Sequence, residues 1–170
     1  MELTFCKSGF RQQLEKELTE NILPFWMNQV VDNATGGFHG ALSNNLIILH
    51  EIPRASVLCS RLIWTYSRAY EYLKNERYLP IAIKIFDYFE KFFWDHEYGG
   101  IYWDIDQNGK AVNDYKHHYT QAFAIFSLSE FYRITRIAKS LEIAQKIFYL
   151  LEKHAYDVKH RGYIEGRSRN

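Results

Sequence analysis

The feature that most constrains this chain is a repeat. Three segments share the pattern aromatic stretch, short polar run, glycine, aromatic residue. They are Phe25-Trp26 with Gly36-Gly37-Phe38-His39-Gly40, Phe93-Trp94-Asp95 with Gly99-Gly100-Ile101-Tyr102-Trp103-Asp104, and His154-Ala155-Tyr156-Asp157 with Arg161-Gly162-Tyr163-Ile164-Glu165. Aligned on their second glycine, Gly37, Gly100 and Gly162, the copies step by 63 and 62 residues. A near-constant period of this length marks a repeat architecture, in which one unit buries its apolar face only against its neighbours.

Between the glycine loops the apolar residues recur at helical spacing. Phe10, Leu14, Leu18, Ile22 and Phe25 form one stripe; Ala82, Phe86, Phe89 and Phe93 a second; Leu141, Ala144, Ile147, Phe148 and Leu151 a third. Each faces away from charged residues, so these are amphipathic helices with one solvated side. Residues 56–74 and 116–135 are apolar almost all round and need cover on every side. Ser56 and Asp114 are the expected N-caps of these two. The alternations Gly100-Ile101-Tyr102-Trp103 and Leu46-Ile47-Ile48-Leu49 predict short hairpins in the loops. The order is outer helix, loop, inner helix, repeated. It implies inner helices ringed by outer ones, with the loops gathered at one end. A closed ring of six pairs takes roughly 370 residues at this period. The expected content here is an all-α arc of about five helices, read as one domain over 1–170 that forms an incomplete N-terminal portion of such a ring.

Composition removes several classes of function. The net charge of +1 leaves no excess to neutralise phosphates, so nucleic acid is not an expected partner. No stretch approaches the ~20 apolar residues of a membrane span, and the N-terminus has no leader pattern, so no membrane partner and a cytoplasmic site are expected. Cys6 and Cys59 are too few for a disulfide framework and are read as reduced. No Cys-x-x-Cys, His-Glu-x-x-His or Gly-x-Gly-x-x-Gly pattern occurs. His117 and His118 are adjacent, a poor spacing for sharing a metal on a helix. Aromatic residues make up 17% of the chain, and their faces suit sugars as well as cores.

Two long motifs carry a specific resemblance. Ser60-Arg61-Leu62-Ile63-Trp64-Thr65-Tyr66-Ser67-x-Ala69-Tyr70 is one, following Gly36-Gly37-Phe38-His39-Gly40. The other is Lys116-x-x-Tyr119-x-Gln121-Ala122-Phe123-Ala124-Ile125-Phe126, following Gly99-Gly100-Ile101-Tyr102-Trp103. Together they resemble the N-acylglucosamine 2-epimerase superfamily and, within it, the cellobiose 2-epimerases. The resemblance implies an (α/α)6 barrel and epimerisation at C2 of a reducing-end aldose through an enediolate, with no redox or metal cofactor. Arg61 matches the family arginine that reaches the pocket, and Tyr119 the family tyrosine, so both are expected in the catalytic machinery. Trp103, Tyr102 and His39 are expected to touch the sugar. Each has a plainer reading beside this one: a helix-flank ion pair for Arg61, a core aromatic for Tyr119, Tyr102 and Trp103, a solvated loop residue for His39. The family's acid and base histidines lie in later repeats, and none of His39, His50, His96, His117, His118, His154 or His160 matches them. The expected role is therefore a pocket wall, with the isolated chain impaired.

Two other functions fit the same pattern. One is a non-catalytic helical-repeat module that binds carbohydrate or protein. The other is a glycoside hydrolase, for which Asp104, Asp106 and Glu165 are loop carboxylates. An arc also exposes the flanks of its inner helices, so self-association, or a partner completing the barrel, is expected beside the small-molecule carbohydrate.

Overall fold

The structure is a computed structural model that describes residues 5–170, with side chains from residue 9 onward. Residues 1–4, where a leader was sought, and the Cys6 side chain lie outside the described residues. Among the described residues there are five helical runs. The first starts as α1 (Phe5–Lys16) and continues without a break through a wide π-helical segment (Glu17–Ile22), α2 (Leu23–Phe25) and a second π segment (Trp26–Val30). Its width has a local cause. Pro24 has no N–H and its ring presses on the preceding turn, and the Leu23 N–H bonds back five residues to Leu18. The others are α3 (Ser56–Leu73), α4 (Leu79–Phe92), α5 (His118–Thr135) and α6 (Ala138–His154). Pro80 sits in the first turn of α4, where a missing N–H costs nothing.

The expected alternation is present. α3 packs on α4 and on α5, and α5 packs on α6. α3 and α5 form the inner layer; the first run, α4 and α6 lie outside it. The core fills the space between the layers, with Tyr66 of α3, Ile85, Phe86 and Phe89 of α4, Leu128 and Phe131 of α5, and Ile147 of α6 all buried. Phe86 stacks on Phe131 at 4.8 Å, which seats α4 against both inner helices. The stripes of α4 and α6 pack as expected, with Phe148 turned outward. The stripe of the first run does not pack along its whole length. Phe10, Leu14 and Ile22 are exposed, and the buried part begins with Leu23 and Val30.

The loops hold the predicted hairpins in their shortest form. Bridges join Val31 to Phe38, Leu42 to Ile48, and Trp94 to Ile101. Strands β1 (Arg54–Ala55), β2 (Asp104–Ile105) and β3 (Ala111–Asn113) make one antiparallel sheet. β4 (Lys116–His117) pairs with β7 (Gly166–Arg167), and β5 (Tyr156–Asp157) with β6 (Gly162–Tyr163). Each strand that leads into an inner helix thus pairs with a strand of the next loop: Arg54 opposite Ile105, Lys116 opposite Arg167.

This pairing overturns both expected caps. α3 begins at Ser56 itself and α5 at His118, and neither preceding residue caps with its side chain. The Ser56 N–H donates to the Trp103 carbonyl (3.0 Å), and the His118 N–H to the Glu165 carbonyl (2.8 Å). Those long-range carbonyls do the work of a cap, and Asp114 stands outside the helix. The glycine alignment of the repeat holds, since the bridged pairs Val31–Phe38, Trp94–Ile101 and Tyr156–Tyr163 keep its steps of 63 and 62, and one aromatic pairing is corrected. The residue equivalent to Trp94 is Val31, with Tyr156 the third of the set; Phe25-Trp26 lies a full turn earlier.

Candidate active site

A side chain on an inner helix can face an outer helix, the other inner helix, or the open side where no helix lies. Among the described residues Trp64, Tyr119, Phe123 and Phe126 stand on the open side, and Arg61, one turn before Trp64, is exposed beside the first run. Trp64 and Phe126 stack across the two inner helices at 5.5 Å. Tyr119 meets Phe123 edge-on at 4.8 Å. At the loop end the aromatic row continues through His117, 6.2 Å from Tyr119 and 4.6 Å from Trp103, with Tyr115 at 6.2 Å on its other flank. Trp103 and Tyr119, both expected at the site, are therefore brought together by His117. Its Nε2 lies 3.3 Å from the Glu165 carboxylate, and its Nδ1 is buried without a partner among the described residues.

Three arginines stand on the inner helices, and they differ. Arg68 is paired with Glu71 and Glu130, and Arg133 with the same two carboxylates. These pairs tie α3 to α5 and hold both glutamates below the usual carboxylate range, chiefly through Arg133. Arg61 is exposed and has no ion pair or hydrogen bond among the described residues. It lines a cleft of about 230 Å³ between the first run and α3, with Leu18, Ile22, Leu23 and Trp26 from the one and Leu58, Leu62 and Thr65 from the other. A helix-flank ion pair, the plainer reading of Arg61, is absent among the described residues.

Tyr102 and His39 occupy equivalent places in successive loops, and both stand beside a buried ion pair. Asp95 is fully buried; Lys116 Nζ lies 2.8 Å and Arg169 Nε 2.8 Å from its Oδ2. Burial opposes the Asp95 charge, but the Arg169 and Lys116 bonds and the Tyr98 N–H hold its carboxyl well below the usual range. Burial lowers the Lys116 ammonium, with Asp95 countering part of that. The Tyr102 ring lies under Lys116 Nζ at 4.5 Å, and its hydroxyl takes a 3.3 Å bond from Arg169. In the loop before, Asp32 meets Arg54 at 3.5 Å. Burial raises the Asp32 carboxyl, yet the Thr35 hydroxyl, two backbone N–H groups and the nearby His39 bring it below its ordinary value. Tyr102 and His39 thus sit with these ion pairs rather than in the Trp103–His117–Tyr119 row. Strand alternation separates Tyr102 from Trp103.

Two of the three loop carboxylates of the hydrolase reading are held by backbone, while the third, Glu165, is exposed beside His117. Asp104 accepts the Asn113 N–H at 2.9 Å, and Asp106 those of Asn108 (2.8 Å) and Lys110 (2.9 Å). Among the described residues no three metal-ligating side chains converge, and no helix is long and apolar enough to cross a membrane. Cys59 is buried, which pushes its thiol up and leaves it a small core residue. Sequence reasoning missed His117 and Tyr115 as site residues, and named Glu165 only as a loop carboxylate of the hydrolase reading. The one local signal is strand parity: Lys116 points in, so His117 points to the other face.

Helices alternately inner and outer, with glycine loops at one end, define an arc of an (α/α)6 barrel. The profile of the N-acylglucosamine 2-epimerase (GlcNAc 2-epimerase) family matches residues 36–170, and this chain belongs to that family. It is 36% identical over 159 residues to a cellobiose 2-epimerase of Bacteroides fragilis, covering 94% of this chain and 41% of that one. It is 40% identical over 155 residues to a cellobiose 2-epimerase of Eubacterium cellulosolvens, covering 91% and 38%. The cellobiose 2-epimerase structure from Bacillus thermoamylovorans superposes with a TM-score of 0.91 at 32% identity, covering 95% of this chain and 41% of that one. The chain thus spans about two fifths of the length of the relatives it matches.

Proposed function

We propose that this chain forms part of the binding wall of a sugar 2-epimerase acting on a reducing-end aldose such as cellobiose. The observation that carries this is Arg61: the one inner-helix arginine left without a carboxylate among the described residues, exposed in a cleft one turn from Trp64. In its open-chain form the sugar loses its C2 proton to a base, and the electrons pass to the carbonyl oxygen as an enediolate. An acid then returns a proton to the other face of C2, giving the mannose-type epimer. A permanently charged guanidinium offers several donors to the developing oxyanion, a charge that grows only on the way to the transition state. The Tyr119 hydroxyl bonds a sugar oxygen, and the Trp103 ring supplies an apolar face for the sugar. His39 and Tyr102 act at one remove, beside the ion pairs that set the loops. The proton-transfer pair comes from other residues, so the isolated chain binds sugar and turns it over poorly.

The test is cellobiose in D2O with this chain, alone and mixed with the remainder of the Bacteroides fragilis protein, read by NMR. Deuterium at C2 together with the epimeric disaccharide supports the reading. Release of glucose, or no engagement of the disaccharide by either preparation, overturns it.

A further inference from the structure

The three loops share one turn and differ in what covers it. In each, the aspartate Oδ1 accepts the N–H groups two and three residues on: Ala34 and Thr35, Glu97 and Tyr98, Lys159 and His160. Its carbonyl accepts the N–H four residues on, from Gly36, Gly99 or Arg161, and that residue has positive φ in every copy (84°, 72° and 55°). Gly36 and Gly99 are therefore equivalent positions, each beside the next outer helix. Lys84 of α4 lies over Gly36. A Cβ built on that glycine would meet the Lys84 stem at 3.4 Å, and Lys84 Nζ reaches across to the Asn33 carbonyl at 3.0 Å.

The second loop lacks that cover. Lys146 of α6 stands 62 residues after Lys84 but turns to Glu142, at 2.6 Å. What remains over Gly99 is a cleft of about 410 Å³ between the second loop and α6, open to solvent. Gly99, Leu150 and the edge of the buried Trp94 form its floor. Tyr98 and Tyr149 stand at its sides, 42% and 67% exposed. Lys146, Tyr149 and Lys153 follow one face of α6 at steps of three and four. The loop wall is fixed from within, because the Gln121 side-chain amide bonds both main-chain groups of Ile101, at 2.9 and 2.8 Å. The cleft is thus preformed, which spares a ligand the cost of ordering it. Its charge is positive. The one carboxylate in its wall, Glu97, is met by Arg169 at 3.0 Å, and that guanidinium also covers one face of Tyr98 at 4.8 Å. Lys153 is exposed and has no ion pair among the described residues.

We infer that this cleft is a ligand site in its own right and takes a hexose carrying a phosphate group. It shares no residue with the Trp103–His117–Tyr119 row. A pyranose presents C–H groups on its ring faces and hydroxyls around its rim. The Tyr149 ring and the Trp94 edge offer aromatic surface to the ring face, and the Lys146 ammonium donates to rim hydroxyls. The Lys153 ammonium is then free for the phosphate, as a point charge with three donors. A neutral sugar would leave that charge unused, and a bare anion would leave the aromatic walls unused.

The test is an amide-shift titration of the whole chain by NMR, with glucose 6-phosphate, glucose and inorganic phosphate as separate probes. The Gly99 and Tyr149 amides are expected to shift and saturate with glucose 6-phosphate, which is expected to bind about tenfold or more tighter than either of its parts. Tyr149→Ala is expected to weaken it by about tenfold and Lys153→Gln by about fivefold. Both side chains are exposed, so neither variant disturbs the core. Lys159→Gln, an exposed lysine of the third loop, is expected to bind as the parent. Arg61→Ala, which disables the proposed sugar-binding wall, is expected to leave this titration unchanged, so the two readings fail separately. Inorganic phosphate binding as tightly, which would mark an adventitious ion only, would overturn the inference. So would glucose binding as tightly, silent Gly99 and Tyr149 amides, an affinity indifferent to Tyr149 and Lys153, or loss of binding in Arg61→Ala.

Discussion

The second and third loops make the same turn with the same hydrogen bonds, yet one is sealed and the other open. Asp95 lies under Lys116 and Arg169, with Gln121 stitched to Ile101; Asp157 faces solvent with His160. The difference teaches that the turn is local and the burial is not. The aspartate and the N–H groups that follow it suffice to shape the loop, with glycine or Arg161 at the positive-φ position, whereas its stability comes from the following unit.

The largest expected effect probes that seal. Asp95→Asn leaves the Lys116 ammonium buried beside a neutral group and is expected to cost about 3–5 kcal/mol in urea unfolding. Asp157→Asn at the equivalent exposed position is expected to cost less than about 1 kcal/mol in the isolated chain. Equal losses would break the comparison. Gln121→Ala strands both main-chain groups of Ile101 and is expected to cost about 1–3 kcal/mol per stranded group, read from the same curves.

Acid sharpens the contrast. The Asp95 carboxyl is depressed in the folded chain, so its contribution is full above its unfolded value near pH 4. That contribution drains away as pH falls below about 4. Asp157 is also depressed, through His160, but it is exposed and contributes little. An acid titration of stability is expected to flatten below pH 4 in Asp95→Asn and to keep the parent shape in Asp157→Asn.

The smallest effects concern backbone and site. Arg161 holds a positive φ of 55° where the other copies have glycine, so Arg161→Gly is expected to stabilise by up to about 1 kcal/mol in thermal melts. Gly99→Ala is expected to destabilise, since φ is 72° and a Cβ would lie 2.8 Å from Leu150. Arg61→Ala is expected to leave stability within about 0.5 kcal/mol while abolishing sugar engagement.

Much of this was legible in the sequence. The period of 63 and 62 residues placed all three loops and the inner and outer helices. It misled where aromatic identity was followed, since Phe25-Trp26 looks like Phe93-Trp94 while the equivalent bridge residue is Val31. The caps failed because the partners of Ser56 and His118 are carbonyls 47 residues further along the chain, beyond any local rule. Arg61 was visible as a charge set between Cys59 and Trp64 in an apolar stretch of its helix. His117 was not, because its neighbours Trp103 and Glu165 come from two different loops.

Native-state amide hydrogen exchange compares the two loops most directly. The account predicts that the amides of Glu97, Tyr98, Gly99 and Ile101 exchange orders of magnitude more slowly than those of Lys159, His160, Arg161 and Tyr163, despite matching turns. Equal protection of the two sets would contradict it.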